Sequence, residues 1–323
     1  MSNDESTTLL GLLDDLFDIR WRHKFFLPAV ASLPLLIVYY VDFSVTSVVI
    51  PKTLQTDYVV PDSSPKLIDL GIFYYVYMSA ISIFSPNSIN ILAGVNGLEV
   101  GQSLVLAAIF LINDFCYLFS PGISQAAHDS HMFSVVFIIP FVGVSLALLQ
   151  YNWFPARVFV GDTYCYFSGM VFAIVGIIGH FSKTLLIFLL PQIINFVYSV
   201  PQLFHILPCP RHRLPRFSIE DGLMHPSFAE LKKASRLNLA ILETLSFFKL
   251  IKVERGSKSN QIVRFSNMTI INLTLVWVGP LREDQLCISI LVVQFVIGVT
   301  MIVVRHTIGP WLFGYDNLSW GVK

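Results

Sequence analysis

Seven apolar runs, each about long enough to cross the hydrocarbon core of a bilayer, restrict what this chain can fold into. They cover residues 25–41, 67–84, 98–116, 132–150, 165–180, 184–206 and 286–304. A helix needs about 20 apolar residues to span roughly 30 Å of hydrocarbon, where its backbone must satisfy its own hydrogen bonds. The chain is 54% hydrophobic and 13% charged, about half the charge of a typical soluble domain. We therefore predict an all-α polytopic membrane protein with seven full transmembrane helices and one partial helix.

The charge and the cysteines argue against other classes of protein. The formal net charge is zero, so the composition does not indicate a nucleic-acid partner. The four cysteines have no CxxC spacing and predict neither a disulfide framework nor a zinc site. The first eight residues are polar and acidic, unlike a signal peptide.

Basic and interfacial residues assign an orientation to the predicted helices. Residues 20–24, Arg-Trp-Arg-His-Lys, precede the first full span and mark a cytoplasmic end. Residues 42–66 and 117–131 are then loops on the other side of the membrane. His128 and His131 in the second loop have a spacing that could bind a metal, but a solvated loop is the preferred interpretation.

A change in composition divides the chain into three parts. Residues 1–206 form the predicted transmembrane core, 207–283 a cytosolic subdomain, and 284–323 the last helix with a tail on the opposite side. The middle part holds more than half of the 21 Lys and Arg residues. Within it, residues 247–253 and 261–265 predict a β-hairpin, and residues 268–277 an interfacial helix. We therefore expect a small α/β insertion before the last span.

Several polar elements converge on the predicted cytoplasmic face. Each has an ordinary structural explanation when taken alone, such as a solvated helix end, a turn or a basic anchor beside the membrane. Together they combine oxygen ligands that suit Mg²⁺ with guanidinium groups that suit phosphate. The sequence therefore predicts a site where a phosphate-rich soluble substrate meets a lipid. The elements are Asp14 and Asp15, Lys24, residues 86–99, residues 157–163 and Arg211-His212-Arg213.

Four of these motifs resemble those of the polyprenyl-phosphate N-acetylhexosamine-1-phosphate transferases. The Arg-His-Arg motif is similar to that of the eukaryotic members, whereas the bacterial members carry a His-rich motif there. The resemblance runs from about Leu10 to at least Arg305. The motifs are Asp14-Asp15, Asn87-Ser-Ile-Asn90-Ile-Leu-Ala-Gly-Val-Asn96-Gly-Leu-Glu99, Phe159-Val-Gly-Asp162 and Pro210-Arg-His-Arg-Leu-Pro215.

The resemblance implies a fold, a reaction and a location. The family fold is all-helical with ten spans, is often dimeric, and has its active site facing the cytosol. For this chain it implies transfer of GlcNAc-1-phosphate from UDP-GlcNAc to dolichyl phosphate in the endoplasmic reticulum membrane. The products would be GlcNAc-PP-dolichol and UMP, in the first step of N-glycan precursor assembly. A homodimer in the lipid bilayer is the expected assembly.

The resemblance also implies roles for individual residues. Asn90 and Asp162 would ligate Mg²⁺, while Asn96 and Phe159 would hold the uridine end of UDP-GlcNAc. Candidate catalytic residues are Asp14, Asp15 and Lys24, and the match does not settle whether either Asp acts as a base. The sugar-phosphate end would be held by Arg211, His212 and Arg213. Dolichyl phosphate would be received by Lys24 and by Ile83, Phe84, Ser85, Pro86, Asn87, Ser88, Ile89, Asn90 and Ile91.

The sequence departs from the family pattern before Leu9. Eight polar residues stand where the family has two further spans, the loop between them and most of the helix that carries the Asp pair. We therefore expect Asp14 and Asp15 to face lipid or water on a poorly supported segment, and this chain alone to have little or no transferase activity. A non-catalytic partner of a longer enzyme and a membrane transporter stay open as alternatives.

Overall fold

The computed structural model describes residues 2–17, 28–51, 67–231, 235–256 and 261–313. Helices dominate these residues, and the strands form small antiparallel sheets. The helices are α1 (Ser2–Phe17), α2 (Leu33–Asp42), α3 (Ile72–Ile91), α4 (Leu98–Leu118), α5 (Gln125–Asn152), α6 (Gly161–Ile178), α7 (Ser182–Phe188), α8 (Leu190–Leu203), α9 (Arg236–Phe247), α10 (Ile270–Val278) and α11 (Glu283–Phe313). The strands are β1 (Ser47–Val49), β2 (Leu67–Asp69), β3 (Arg216–Phe217), β4 (Met224–His225), β5 (Phe228–Glu230), β6 (Val253–Arg255) and β7 (Ile262–Ser266).

Four of the described helices, α4, α5, α6 and α11, are long and apolar enough to cross a membrane. Helices α7 and α8 together would form a fifth span, but they are bent by 66° at the break between them. The described part of the chain thus contains four or five candidate spans, fewer than the seven predicted. The predicted span 67–84 differs most, because its first residues pair with β1 as strand β2. Helix α3 then continues into the polar motif as far as Ile91.

The N-terminal segment forms a better supported element than the sequence indicated. Instead of a five-residue apolar fragment, residues Ser2–Phe17 form a helix of 16 residues that packs against α6. A Cβ atom at Gly11 would lie 2.6 Å from the Cα of Thr163, so a larger residue would force the helices apart. The expectation of a poorly supported segment is therefore wrong for residues 2–17.

The expectation of a solvated loop over residues 117–131 is wrong for its second half, where α5 has already begun. His131 is 3% exposed, and its Nδ1 lies 2.7 Å from Oδ1 of the fully buried Asp114. Its ring stacks between those of Tyr117 and Phe181, at centroid distances of 4.2 and 5.5 Å. A buried carboxylate needs such a polar partner, because burial without one is costly. Asp114 lies inside an apolar run, so the sequence did not reveal this pair.

The main core lies between α3, α4, α6 and α7. The Phe110 ring of α4 is central to it, with Phe172 at 5.7 Å and Phe188 at 5.2 Å between ring centroids. All three side chains are fully buried. Aromatic pairs at these distances add to the stability gained by burial alone. The cluster thereby joins α7 to α4 and α6, the two helices whose N-terminal ends carry predicted motifs.

The predicted α/β insertion is also present in the structure. Strands β5, β7 and β6 form an antiparallel sheet, and β3 pairs with β4 as a separate ribbon. The sheet packs with α9 around Phe265, Leu242 and Ile251. A hairpin of β6 and β7 is present, and the strand predicted over 261–265 is confirmed as β7. The strand predicted over 247–253 is wrong except at Val253, because α9 extends to Phe247 and a turn follows it. The apolar helix expected over 268–277 is α10.

The orientation can be tested with single cysteines on exposed residues at the two faces. Ile219, in the predicted cytosolic part, is 91% exposed, and Phe119, which follows α4, is 81% exposed. With Cys116 and Cys209 replaced by Ser, we expect Ile219→Cys to react with a membrane-impermeant maleimide on sealed, cytosolic-side-out microsomes. Phe119→Cys should react only after permeabilisation. Reaction of both in sealed vesicles, or the reverse order, would contradict the predicted orientation.

Candidate functional site

Asn90 and Asp162 are 72 positions apart in the sequence and meet in the structure. Asn90 lies in the last turn of α3, and Asp162 in the first turn of α6. The Nδ2 of Asn90 donates to Oδ1 of Asp162 over 2.7 Å. The sequence predicted this proximity, and their role as metal ligands stays a prediction.

The close approach of α3 and α6 brings this pair together. A Cβ atom at Gly169 would lie 2.3 Å from the Cα of Pro86, so glycine is needed where the helices cross. Ser85 Oγ donates to the Gly169 carbonyl over 2.8 Å at the same point. The crossing therefore fixes the distance between the two ends that carry Asn90 and Asp162.

Asp15 holds the N-terminus of α6. Its Oδ1 accepts from the N–H of Asp162 at 2.9 Å, and its Oδ2 accepts from the N–H and the hydroxyl of Thr163 at 3.0 and 2.6 Å. The first N–H groups of a helix have no partner within the helix, and a carboxylate there is favourable. Gly161 has φ +64°, and a Cβ there would lie 2.7 Å from the Asp15 carboxylate. In this arrangement Asp15 positions Asp162.

Asp14 points to a different environment from its neighbour. Asp14 is 6% exposed, whereas the Asp15 side chain is exposed. The expectation that both acids face lipid or water is therefore wrong for Asp14. Asp15 is exposed as expected, but it keeps protein partners because it is hydrogen-bonded to α6. Lys24, the third candidate catalytic residue, lies outside the described residues.

The side-chain oxygens of three residues hold the loop between α3 and α4, which contains Asn96. Each accepts a hydrogen bond from a backbone N–H of the loop, so the loop is fixed through its main chain. Glu283 and Asn152 were not identified from the sequence, because an isolated acid or amide at a helix end gives no signal. The bonds are Gly94 N to Glu99 Oε1 at 2.8 Å, Asn96 N to Glu283 Oε1 at 2.8 Å and Gly97 N to Asn152 Oδ1 at 3.1 Å.

The Arg-His-Arg segment lies against this loop. A Cβ atom at Gly94 would come within 2.0 Å of the Leu214 side chain, which shows how closely the two segments pack. Asn272 of α10 anchors the segment by donating to the Arg213 carbonyl over 2.8 Å. Arg211 and His212 are exposed. The structure thus brings the Arg-His-Arg motif next to the Asn87–Glu99 motif.

Arg213 has the properties of an anion-binding side chain. Its Nη1 is buried and has no hydrogen-bond partner among the described residues. Burial lowers the pKa of the guanidinium, because removal from water disfavours the charged form. Arginine stays charged at neutral pH nonetheless. A bound anion would offset the cost of burying this charge.

The predicted lipid-binding segment of α3 is mostly packed inside the protein. A lipid can reach the half-buried members, whereas the fully buried ones shape the helix crossing. The half-buried residues are Ile83, Phe84, Asn90 and Ile91, and the buried ones are Ser85, Pro86, Asn87, Ser88 and Ile89. Phe159, which precedes α6, is 88% exposed and presents an open aromatic face.

The oxygen donors at Asn90 and Asp162 fit a magnesium ion. No three His, Cys, Asp or Glu side chains form a metal-binding group among the residues described. Mg²⁺ does not require such a group, because it keeps several water ligands and shares substrate phosphates beside one or two protein oxygens. Exchanging the amide oxygen and nitrogen of Asn90 brings Oδ1 beside the Asp162 carboxylate. Two oxygens would then face the same point.

Comparison with known proteins gives matches over nearly the whole chain. The model of Glycosyl transferase family 4 matches residues 6–180. The UDP-N-acetylglucosamine--dolichyl-phosphate N-acetylglucosaminephosphotransferase of Saccharomyces cerevisiae is 60% identical over 99% of this chain and 70% of that protein. The protein of the same name from Schizosaccharomyces pombe is 50% identical over 97% of this chain and 70% of its own length. These matches confirm the resemblance drawn from the four motifs.

A matched pair of variants separates the role of Gly161 next to Asp15 from the backbone strain that alanine has at any position with positive φ. Gly161 and Gly222 both have positive φ, but a Cβ at Gly222 meets no atom within 4 Å, whereas one at Gly161 would displace the Asp15 carboxylate. Both Ala variants carry the left-handed strain of about 1–2 kcal/mol. We expect Gly161→Ala to lower the midpoint of thermal unfolding more than Gly222→Ala does. We also expect only Gly161→Ala to reduce activity. Equal effects of the two variants would contradict the role of Asp15 in holding α6.

Proposed function

We propose that this chain, which belongs to Glycosyl transferase family 4, transfers GlcNAc-1-phosphate from UDP-GlcNAc to dolichyl phosphate. The products are GlcNAc-PP-dolichol and UMP. The similar proteins from two yeasts carry both substrates in their names. The structural observation that supports the proposal is the 2.7 Å contact between Asn90 and Asp162, with Arg213 on a neighbouring segment.

The reaction needs positioning and charge neutralisation more than a strong base. A phosphate monoester has its second pKa near 6 and is largely dianionic at neutral pH, so the lipid phosphate is already a nucleophile. Its oxygen forms a bond to the β-phosphorus of UDP-GlcNAc. The bond from that phosphorus to the bridging oxygen breaks, and UMP leaves with this oxygen. The protein has to hold the two phosphate groups in line.

Asn90 and Asp162 are the residues that would hold Mg²⁺. When bound, the ion neutralises charge on the pyrophosphate of the nucleotide sugar. Asp15 contributes by keeping Asp162 at the start of α6, through the hydrogen bonds to Asp162 and Thr163. Asp15 thus holds the start of α6, and Asp162 would hold the ion.

Arg213 supplies the fixed positive charge for the phosphate next to the sugar, with Arg211 and His212 beside it. The hydrogen bond from Asn272 to its carbonyl keeps the main chain in place while the guanidinium binds. A planar guanidinium can donate two parallel hydrogen bonds to a phosphate, which also fixes its orientation. Asn96 and Phe159 would take the uridine end.

The accessible edge of α3, with Lys24, would receive the dolichyl phosphate. The candidate spans place this edge in a membrane protein, where a lipid can approach from the bilayer. We further propose that the site faces the cytosol of the endoplasmic reticulum membrane and that the chain forms a homodimer. The resemblance to the family supports both proposals, and the basic residues before the first span support the orientation.

The transfer reaction itself tests the proposal. The purified chain in detergent should convert dolichyl phosphate and labelled UDP-GlcNAc into labelled lipid in a reaction that EDTA abolishes and Mg²⁺ restores. The same assay measures the weak activity predicted from the sequence. Asp162→Asn should lower turnover by orders of magnitude, because the amide is a poorer ligand than the carboxylate. Asp129→Asn, which changes an exposed side chain on α5, should leave it unchanged.

Other outcomes of this assay would support the alternatives. Near-normal turnover of Asp162→Asn would remove the magnesium assignment. Absence of turnover together with co-purification of a longer, active transferase would favour a non-catalytic partner. Uptake of UDP-GlcNAc into proteoliposomes without transfer to lipid would favour a transporter.

The Arg213 assignment can be tested by exchanging one cation for another. Lys keeps the charge of Arg but loses the planar fork. We expect Arg213→Lys to raise the KM for UDP-GlcNAc about tenfold and to leave the KM for dolichyl phosphate nearly unchanged. Arg264→Lys, in the exposed ion pair with Glu230, is the matched control. Equal changes in both KM values for Arg213→Lys would show that the residue acts only as an electrostatic anchor.

A further inference from the structure

Asn152, the last residue of α5, joins two loops that meet beside the site. It is 4% exposed. Its Oδ1 accepts from the N–H of Gly97, and its Nδ2 donates to the carbonyl of Val158, each over 3.1 Å. One loop carries Asn96 and the other carries Phe159. A single side-chain amide therefore connects the two segments that flank the Asn90–Asp162 pair.

Only an amide of this length meets both requirements. The reversed amide would place a donor against the Gly97 N–H and an acceptor against the Val158 carbonyl, so the orientation is unambiguous. An aspartate keeps the shape and the first hydrogen bond but sets a charged oxygen against the carbonyl. Neighbours of Asn152 strengthen the connection. The Tyr151 carbonyl accepts from Val158 N at 3.2 Å, and a Cβ at Gly97 would lie 2.8 Å from the Trp153 ring.

We infer that Asn152 is a positioning residue for the nucleotide, acting through Asn96 and Phe159. The inference rests on the proposed function. Because the Phe159 ring is 88% exposed, its place is set mainly by its backbone, which directly follows the carbonyl held by Asn152. A nucleobase stacked on an aromatic face gains binding energy only if that face is already in place. The ligand class is a uridine nucleotide, and Asn152 itself does not touch it.

The kinetic test compares Asn152→Asp with Ser145→Ala. The control removes another buried hydrogen bond of α5, the one that Tyr164 donates to Ser145 over 2.9 Å, without touching either loop. For Asn152→Asp we expect the KM for UDP-GlcNAc and the Kd for UDP to rise about tenfold, the effect of a lost interaction of ordinary strength. The KM for dolichyl phosphate should change less than about twofold. Asn152→Ala, which adds no charge, should show the same split if Asn152→Asp fails to fold.

Hydrogen exchange gives a readout that does not require catalysis. Asn152→Asp should speed amide exchange in residues 93–97 and 156–160 together, whereas Ser145→Ala should not. Unchanged exchange in both loops, or equal changes in both KM values, would overturn the inference. If the wild-type chain neither binds UDP nor transfers GlcNAc-1-phosphate while the loops still loosen in Asn152→Asp, the proposed function has failed and the structural link remains.

Discussion

The contact between Pro86 and Gly169 is the constraint on which the site depends. At this point α3 and α6 approach so closely that a single methyl group on Gly169 would collide with backbone. The helices run in opposite directions through the crossing, so the end of one lies beside the start of the other. Asn90 is four residues beyond Pro86, and Asp162 seven residues before Gly169, so both lie on the same side of the crossing, where their side chains meet. A wider crossing would separate them, however well each motif was formed.

Buried polar groups near this crossing form hydrogen bonds with one another, because the hydrocarbon of a membrane offers them no water. Gln102 of α4 is an example. Its Nε2 donates to the carbonyls of Ile89 and Leu92 at 3.0 and 2.7 Å, where α3 ends. Its Oε1 accepts from Gln192 of α8 at 3.2 Å, and its own carbonyl accepts from Gln294 of α11 at 3.0 Å. The end of α3 is thereby linked to three further helices.

The sequence was sufficient for features that local composition determines. Apolar runs indicated a membrane protein, and the spacing of polar residues indicated which segments gather at one face. It was not sufficient for contacts that arise only when helices pack. Nothing near Asp15 in the chain shows that it caps a helix 147 residues away, and the 66° bend between α7 and α8 lies inside one continuous apolar run. Asp114 stayed hidden for the same reason, since its partner His131 belongs to another helix.

The two neighbouring acids, Asp14 and Asp15, differ because successive residues of a helix point in different directions. Only one of them can face the start of α6, and the structure gives this place to Asp15. Its oxygens accept three hydrogen bonds from Asp162 and Thr163. A proton taken up by Asp15 would weaken these charge-assisted bonds and loosen Asp162 at the step where its position is needed. A lipid phosphate that is already ionised makes such a proton transfer unnecessary. The geometry of Asp15 therefore agrees better with a reaction driven by positioning than with general-base catalysis by this residue.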